Sequence, residues 1–144
     1  MRAVLTRVKS ASVTVDGAVC GAIDGGFLIL LGVHKTDTVE NAVKMADKIC
    51  ALRIFEDENG KMNLAPDRVG AKMLIVSQFT LYADTSSRRP GFSEAARPET
   101  AVPLYEKVIS LVRERGFEVQ TGIFGADMLV ESINDGPVTI IIDT

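Results

Sequence analysis

The sequence contains one histidine, His34, and two cysteines, Cys20 and Cys50, in 144 residues. Neither cysteine sits in a CxxC or other metal-type spacing, and the histidine has no second ligand near it in sequence. A zinc site or a histidine-based triad therefore has almost no inventory to draw on. The cysteines read as small buried apolar residues. Long apolar runs are missing too. The longest, Phe27 to Val33, is interrupted by Gly32 and falls far short of the ~18 residues of a membrane span. The opening Met1-Arg2-Ala3-Val4-Leu5-Thr6-Arg7 has no apolar signal core, so the expected location is the cytoplasm.

Positive charge is also in short supply. Sixteen Lys and Arg stand against nineteen Asp and Glu, for a net charge of −3. Broad binding to DNA or other nucleic acid needs a basic face, so that class is disfavoured. A partner touched through only a few phosphates is not. Gly25-Gly26 lacks both phosphate-loop patterns, GxGxxG and GKS/T. A chain of this length buries roughly 68–70% of its unfolded surface and needs no metal or disulfide to fold. It is read as one domain, residues 1–144.

What is present is strong patterning. Residues 2–15 alternate apolar and polar as a strand. Asp16-Gly17 is a two-residue hairpin signal, and Ala18 to Ile23 returns as a second strand. Asp24-Gly25-Gly26 reads as another turn, with Phe27 to Val33 as a third strand, which together predict an antiparallel meander. Asp37 with Glu40 resembles a capping box ahead of an amphipathic helix to about Leu52. Arg53 to Phe55 is a short strand, and Asn63 to Gly70 a loop. Lys72 begins a strand buried on both faces, since Met73 to Val76 is uniformly apolar. Residues 83–99 form a long loop, a length that in compact domains usually carries function or is disordered. Thr100 to Arg115 is a second amphipathic helix, stopped by Gly116. Three more strands follow: Phe117 to Thr121, Met128 to Ile133 and Val138 to Ile142. The last two are expected to be joined by a turn at Asn134-Asp135-Gly136-Pro137, and Val138 to Ile142 is a candidate subunit interface. The fold class is α+β, a mainly antiparallel sheet or barrel with two helices.

Three groups of residues can carry chemistry. Ser77, Gln78, Phe79 and Thr80 follow directly on the buried strand. They are read either as a hydroxyl nucleophile or as an oxyanion hole built from the N–H groups of Phe79 and Thr80. A nucleophile needs an adjacent base, and nothing in the sequence places one there. Gly136-Pro137 is a turn signal, and X–Pro bonds are also the ones that adopt the cis form. A cis bond at a hairpin tip would aim successive carbonyls one way, toward an amino group. Arg88-Arg89 in the long loop suit phosphate geometry.

At Ser77-Gln78-Phe79-Thr80-Leu81 and Asn134-Asp135-Gly136-Pro137-Val138-Thr139 the chain resembles the D-aminoacyl-tRNA deacylases, the D-tyrosyl-tRNA deacylase family. The likeness extends through Met1 to Val8, residues 11–17, 52–57 and 60–63, and Phe124-Gly125-Ala126-Asp127-Met128. It implies a hydrolase that cleaves the ester between a D-amino acid and the 3′-terminal adenosine of tRNA, without metal or cofactor. It implies a homodimer with the active site at the subunit interface: Ser77 to Thr80 of one subunit meet Gly136-Pro137 of the other. The family's Gly–Pro bond is cis, its carbonyls hold the substrate's α-amino group, and an L side chain collides with the motif. Glycyl-tRNA should then also fit. Arg7 is expected to hold the motif's orientation, and Arg88 and Arg89 are candidate tRNA contacts. No DNA or membrane partner is implied. One departure stands in the loop Ser86-Ser87-Arg88-Arg89-Pro90-Gly91-Phe92. The family commonly has a basic residue and Gly there, then Arg-Pro-Ser-Phe. The alternative is a non-catalytic RNA- or protein-binding dimer of the same fold.

Overall fold

The computed structural model describes residues 1–144. Two long strands, β1 (Arg2–Val15) and β2 (Ala18–Gly32), pair antiparallel along nearly their whole length. Asp16 and Gly17 turn between them at φ 49° and 79°, the backbone a two-residue hairpin of this twist requires. β2 does not break at Gly25-Gly26, so the expected meander is a single hairpin. The glycines have φ 95° and 139°, yet Ser10 still pairs with Asp24 and Val8 with Gly26. Gly26 serves a close approach instead of a reversal: a Cβ there would lie 1.9 Å from the Lys72 carbonyl oxygen.

The remaining elements are α1 (Val39–Ala51), β3 (Phe55–Glu56), β4 (Met62–Leu64), β5 (Lys72–Ser77), α2 (Pro98–Glu114), β6 (Val119–Thr121) and β7 (Leu129–Asp143). A short 3₁₀ turn, Pro66–Val69, lies inside the expected loop after β4. The main sheet runs β6-β5-β2-β1-β7. Its longest ladders are antiparallel, while β5 pairs parallel with both β2 and β6. The α+β reading stands, with parallel pairing added at one side. β6 is shorter than its expected span, starting at Val119.

α1 is capped by Thr38 and Asn41, not by Asp37 and Glu40. The Asp37 carboxylate is engaged elsewhere, accepting from the Met1 ammonium at 2.6 Å and the His34 N–H at 2.6 Å. α2 begins two residues before the expected Thr100 because Pro98 takes the first helical position, where a missing N–H costs nothing. Gly116 follows its end at φ 90°.

Alternation decides which face each strand side chain covers. Ala3, Leu5, Phe27, Ile29, Leu31, Met73 and Ile75 point to one face and pack against Met45, Ile49, Val108 and Val112 of the helices. The opposite face buries Leu28, Leu74 and Val76 beneath Val8, Ala11, Val13 and Ile23. The far half of the β1–β2 hairpin supplies those covering residues by curling back over the sheet. A Cβ at Gly21 would lie 2.5 Å from the Thr121 carbonyl oxygen, so glycine permits this closure. β5 is thus covered on both faces, as its uniform Met73–Val76 run requires, and all four residues are buried. No helix is long and apolar enough to cross a membrane.

The largest departure is β7. It is one strand of fifteen residues, not two strands joined by a turn. Thr139 pairs with Thr6 and Asn134 with Val8, so four β7 residues, Asp135 to Val138, stand opposite Arg7 alone. The Gly136-Pro137 motif is a wide bulge in mid-strand and not a hairpin tip. β1 keeps its course on both sides, so the ladder resumes after the bulge.

Candidate active site

β5 delivers the first motif. Ser77 pairs with Leu31 of β2, and the Gln78 N–H donates to the Leu31 carbonyl at 2.9 Å. The chain then leaves the sheet in a 3₁₀ turn, Phe79–Tyr82. Gly32 lets that turn lie flat on β2, since a Cβ there would sit 2.9 Å from the Gln78 carbonyl oxygen and 3.2 Å from Leu81 Cβ. Gly32 first counted only as a break in an apolar run. Its role depends on a segment 46 positions further along the chain that sequence periodicity does not connect to it.

The first N–H groups of a helical turn have no acceptor within it. Here the Leu81 N–H donates to the Gln78 carbonyl and the Ala83 N–H to the Thr80 carbonyl. The Phe79 and Thr80 N–H groups donate to nothing within the chain. They are adjacent, at the exposed end of a buried strand. The Gln78 Nε2 donates to Thr80 Oγ1 at 2.6 Å. No histidine, lysine or carboxylate hydrogen-bonds Ser77 or Thr80, so neither hydroxyl has a base.

Arg2 clasps the far end of the turn. Its Nη1 donates to the Leu81 carbonyl at 3.4 Å, and its guanidinium lies 5.6 Å from the centre of the Tyr82 ring. Arg2 Nε and Nη2 donate to the two Asp143 carboxylate oxygens at 2.8 and 3.1 Å. That hydrogen-bonded guanidinium holds the Asp143 carboxyl below the usual carboxylate range. Burial, with Asp37 and Asp143 nearby, pushes the Tyr82 hydroxyl up to about 12.

Beside the turn opens a cavity of about 420 Å³. Ser77, Gln78 and Phe79 form one wall, Phe92, Tyr105 and Phe124 others. Phe92 meets Phe79 edge-on, with ring centroids 5.0 Å apart. The Tyr105 hydroxyl donates to the Ile75 carbonyl at 2.7 Å, fixing α2 against β5. Sequence reading passed over Phe92, Tyr105 and Phe124 as site residues. Phe92 and Phe124 stand in loops and Tyr105 on the apolar face of α2, and neither pattern says what the ring faces.

The long loop is ordered by its own contacts. Asp84 and Gly91 exchange backbone hydrogen bonds at 2.8 and 2.9 Å, and Asp84 Oδ1 accepts from the Ser86 N–H. Arg88 and Arg89 ride on the exposed tip of this small hairpin and pair with no carboxylate. At its base, Lys35 and His34 reach Glu94 at 2.8 and 3.2 Å.

The second motif lies elsewhere on the chain. The Gly136–Pro137 peptide is cis. Arg7, 5% exposed and the one charged residue in the core, points at it. Arg7 Nε donates to the Asp135 carbonyl at 3.1 Å and Nη1 to the Ile54 carbonyl at 2.6 Å. The Asp135 carboxylate also lies 3.5 Å from Arg7 Nε and 3.3 Å from Lys9 Nζ. Arg7 thus hydrogen-bonds the carbonyl of the residue just ahead of Gly136-Pro137. Arg7 pairs with Phe27, and Ser77 with Leu31. Four strand residues separate those positions, roughly 13 Å along the sheet. One chain therefore does not bring Gly136-Pro137 to its own Phe79.

A sequence profile of the family described as D-Tyr-tRNA(Tyr) deacylase matches residues 4–143. A protein from Anaeromyxobacter dehalogenans (strain 2CP-C) named D-aminoacyl-tRNA deacylase is 57% identical, with 100% of this chain and 97% of that one covered. A protein of the same name from Thermus aquaticus is 56% identical, at 100% and 95% coverage. A solved structure named c-Myc DNA Unwinding Element Binding Protein superposes with a TM-score of 0.94 at 39% identity, covering 100% of this chain and 99% of that one.

Proposed function

The chain belongs to the D-Tyr-tRNA(Tyr) deacylase family, and from that membership we propose that it hydrolyses the ester of D-aminoacyl-tRNA in the cytoplasm, releasing the D-amino acid and rejecting L-aminoacyl-tRNA. The observation that carries this reading is the pair of free N–H groups at Phe79 and Thr80 beside an aromatic cavity. A flat base fits among Phe79, Phe92 and Phe124, because aromatic faces accept any nucleobase by stacking. The ester at the 3′ oxygen then falls near the two donors.

Water attacks the ester carbonyl carbon and makes a tetrahedral oxyanion. The Phe79 and Thr80 N–H groups hold that charge, each such donor contributing about 2.7–4 kcal/mol. The carbon–oxygen bond to the ribose breaks, and the leaving 3′ oxygen takes up the proton that the water released, passed through the neighbouring 2′-hydroxyl. Thr80 is not the nucleophile here. Its oxygen accepts from Gln78 and no base is present to activate it.

Chiral choice belongs to Gly136-Pro137 of a second copy. β7 is an edge strand, and Leu129, Ile133 and Ile141 on it are 72%, 64% and 64% exposed. Long exposed apolar edges invite pairing with another chain. A homodimer across this region brings the partner's bulge toward Phe79, which the distance within one chain prevents. Main-chain carbonyls there grip the α-amino group, the L side chain has no room, and glycine passes. Arg7 holds the bulge in place, and Arg88 and Arg89 contact the tRNA. No cofactor enters the scheme.

Purified protein should release D-tyrosine from D-tyrosyl-tRNA and leave L-tyrosyl-tRNA at its uncatalysed rate of hydrolysis. Equal turnover of the two esters overturns the proposal.

A further inference from the structure

Arg97 is the only charged residue lining the cavity beside Phe79; the other lining groups are mostly apolar or aromatic. It sits at the cap of α2, in extended backbone at φ −70° and ψ 159°. Its side chain is exposed and forms no ion pair, unlike Arg2 with Asp143 and Lys35 with Glu94 nearby. A free guanidinium beside an aromatic cavity is poorly explained by stability, since nothing in the fold uses it. It is well placed for an anion attached to whatever the cavity holds.

We propose that Arg97 binds the 5′-phosphate of the terminal nucleotide, anchoring the tRNA end while its base occupies the cavity. This rests on the deacylase reading above. The chemistry fits: a guanidinium forks onto two phosphate oxygens, and the contact is electrostatic, so it carries no sequence preference. The chain's net charge of −3 gives tRNA no general attraction. A single well-placed cation then matters more than it would on a basic surface. Arg97 contributes to holding the substrate and not to the bond-breaking step, because the ester lies at the other end of the nucleoside.

The test compares two substrates of the same ester. D-Tyrosyl-tRNA carries the phosphate; 3′-O-(D-tyrosyl)adenosine does not. Arg97→Gln should raise KM for the tRNA about ten-fold with kcat little changed. Kinetics on the adenosine ester, which lacks the phosphate, should change by much less than those on the tRNA. Its salt dependence on tRNA should flatten by roughly 0.7 in the log–log slope, the value for one phosphate of a single strand. Arg97→Lys should fall between wild type and Arg97→Gln. Equal losses on both substrates, or none on either, overturn this inference while wild-type turnover leaves the deacylase reading standing. No wild-type turnover of D-tyrosyl-tRNA overturns both.

Discussion

Gly136→Ala should lower kcat/KM for D-tyrosyl-tRNA by about 100-fold or more, the size of loss expected when a positioning group moves by an ångström. Gly136 has φ +135°, a region nearly closed to residues with a Cβ. A Cβ there would also lie 2.7 Å from the Val138 nitrogen and 2.8 Å from Val138 Cγ2. Neither neighbour is the loose end of a long side chain, so the bulge itself must shift. Backbone strain of about 1–3 kcal/mol adds to an overpacking cost of similar size. The unfolding midpoint should drop by roughly 6–20 °C. Single-turnover deacylation and calorimetry check both effects. A Gly136→Ala protein that turns over D-tyrosyl-tRNA at the wild-type rate would remove the motif from the site.

Arg7→Met should cost about 2–5 kcal/mol of stability, because the buried Ile54 carbonyl loses a charged donor worth about 1.5–3 kcal/mol and the half-buried Asp135 carbonyl loses a weaker one. One side chain thus ties the β3 segment to the bulge. Methionine fills the volume but satisfies neither oxygen. The Asp135 carboxylate keeps Lys9 at 3.3 Å, which limits the electrostatic damage. Activity should fall with stability, since the bulge loses its inner support. Arg7→Lys should not restore it, because one ammonium cannot fork between two separated carbonyls. Denaturant titration alongside the deacylation rate decides the matter, and a variant of wild-type stability would mean the arginine supports nothing.

Local signals were legible where local chemistry sets the backbone. The Asp16-Gly17 turn, the amphipathic faces of α1 and α2, and the Gly116 stop all follow from residues within a few positions of one another. The doubly buried β5 was equally plain. The two largest misreadings share one cause. Gly25-Gly26 and Asn134 to Pro137 both read in the sequence as reversals, because glycine and proline mark unusual backbone. Such residues do not say whether the chain resumes its ladder afterwards. Here β1 continues past both, and pairing with it resumes on the far side. The Asp37 cap failed for a similar reason: the Met1 ammonium and the His34 N–H, brought in by the fold, claimed its carboxylate.

The candidate site is half legible in the sequence. Ser77 to Thr80 and Gly136-Pro137 stood out as polar or special residues beside apolar strands. Their surroundings did not. Gly32 under the 3₁₀ turn, and Phe92, Tyr105, Phe124 and Arg97 around the cavity, come from four separate stretches. Only tertiary packing assembles them.

The distance between the two motifs on one chain has a genetic meaning. If each working site draws Phe79 from one copy and Gly136-Pro137 from another, a lesion at either motif damages both sites of a dimer made of identical chains. Chains with different lesions behave otherwise. A dimer formed by one chain broken at Gly136 and another broken at the Phe79 turn gathers both lesions into a single site and leaves the other intact. Two alleles, each inactive alone, would then restore activity when expressed together.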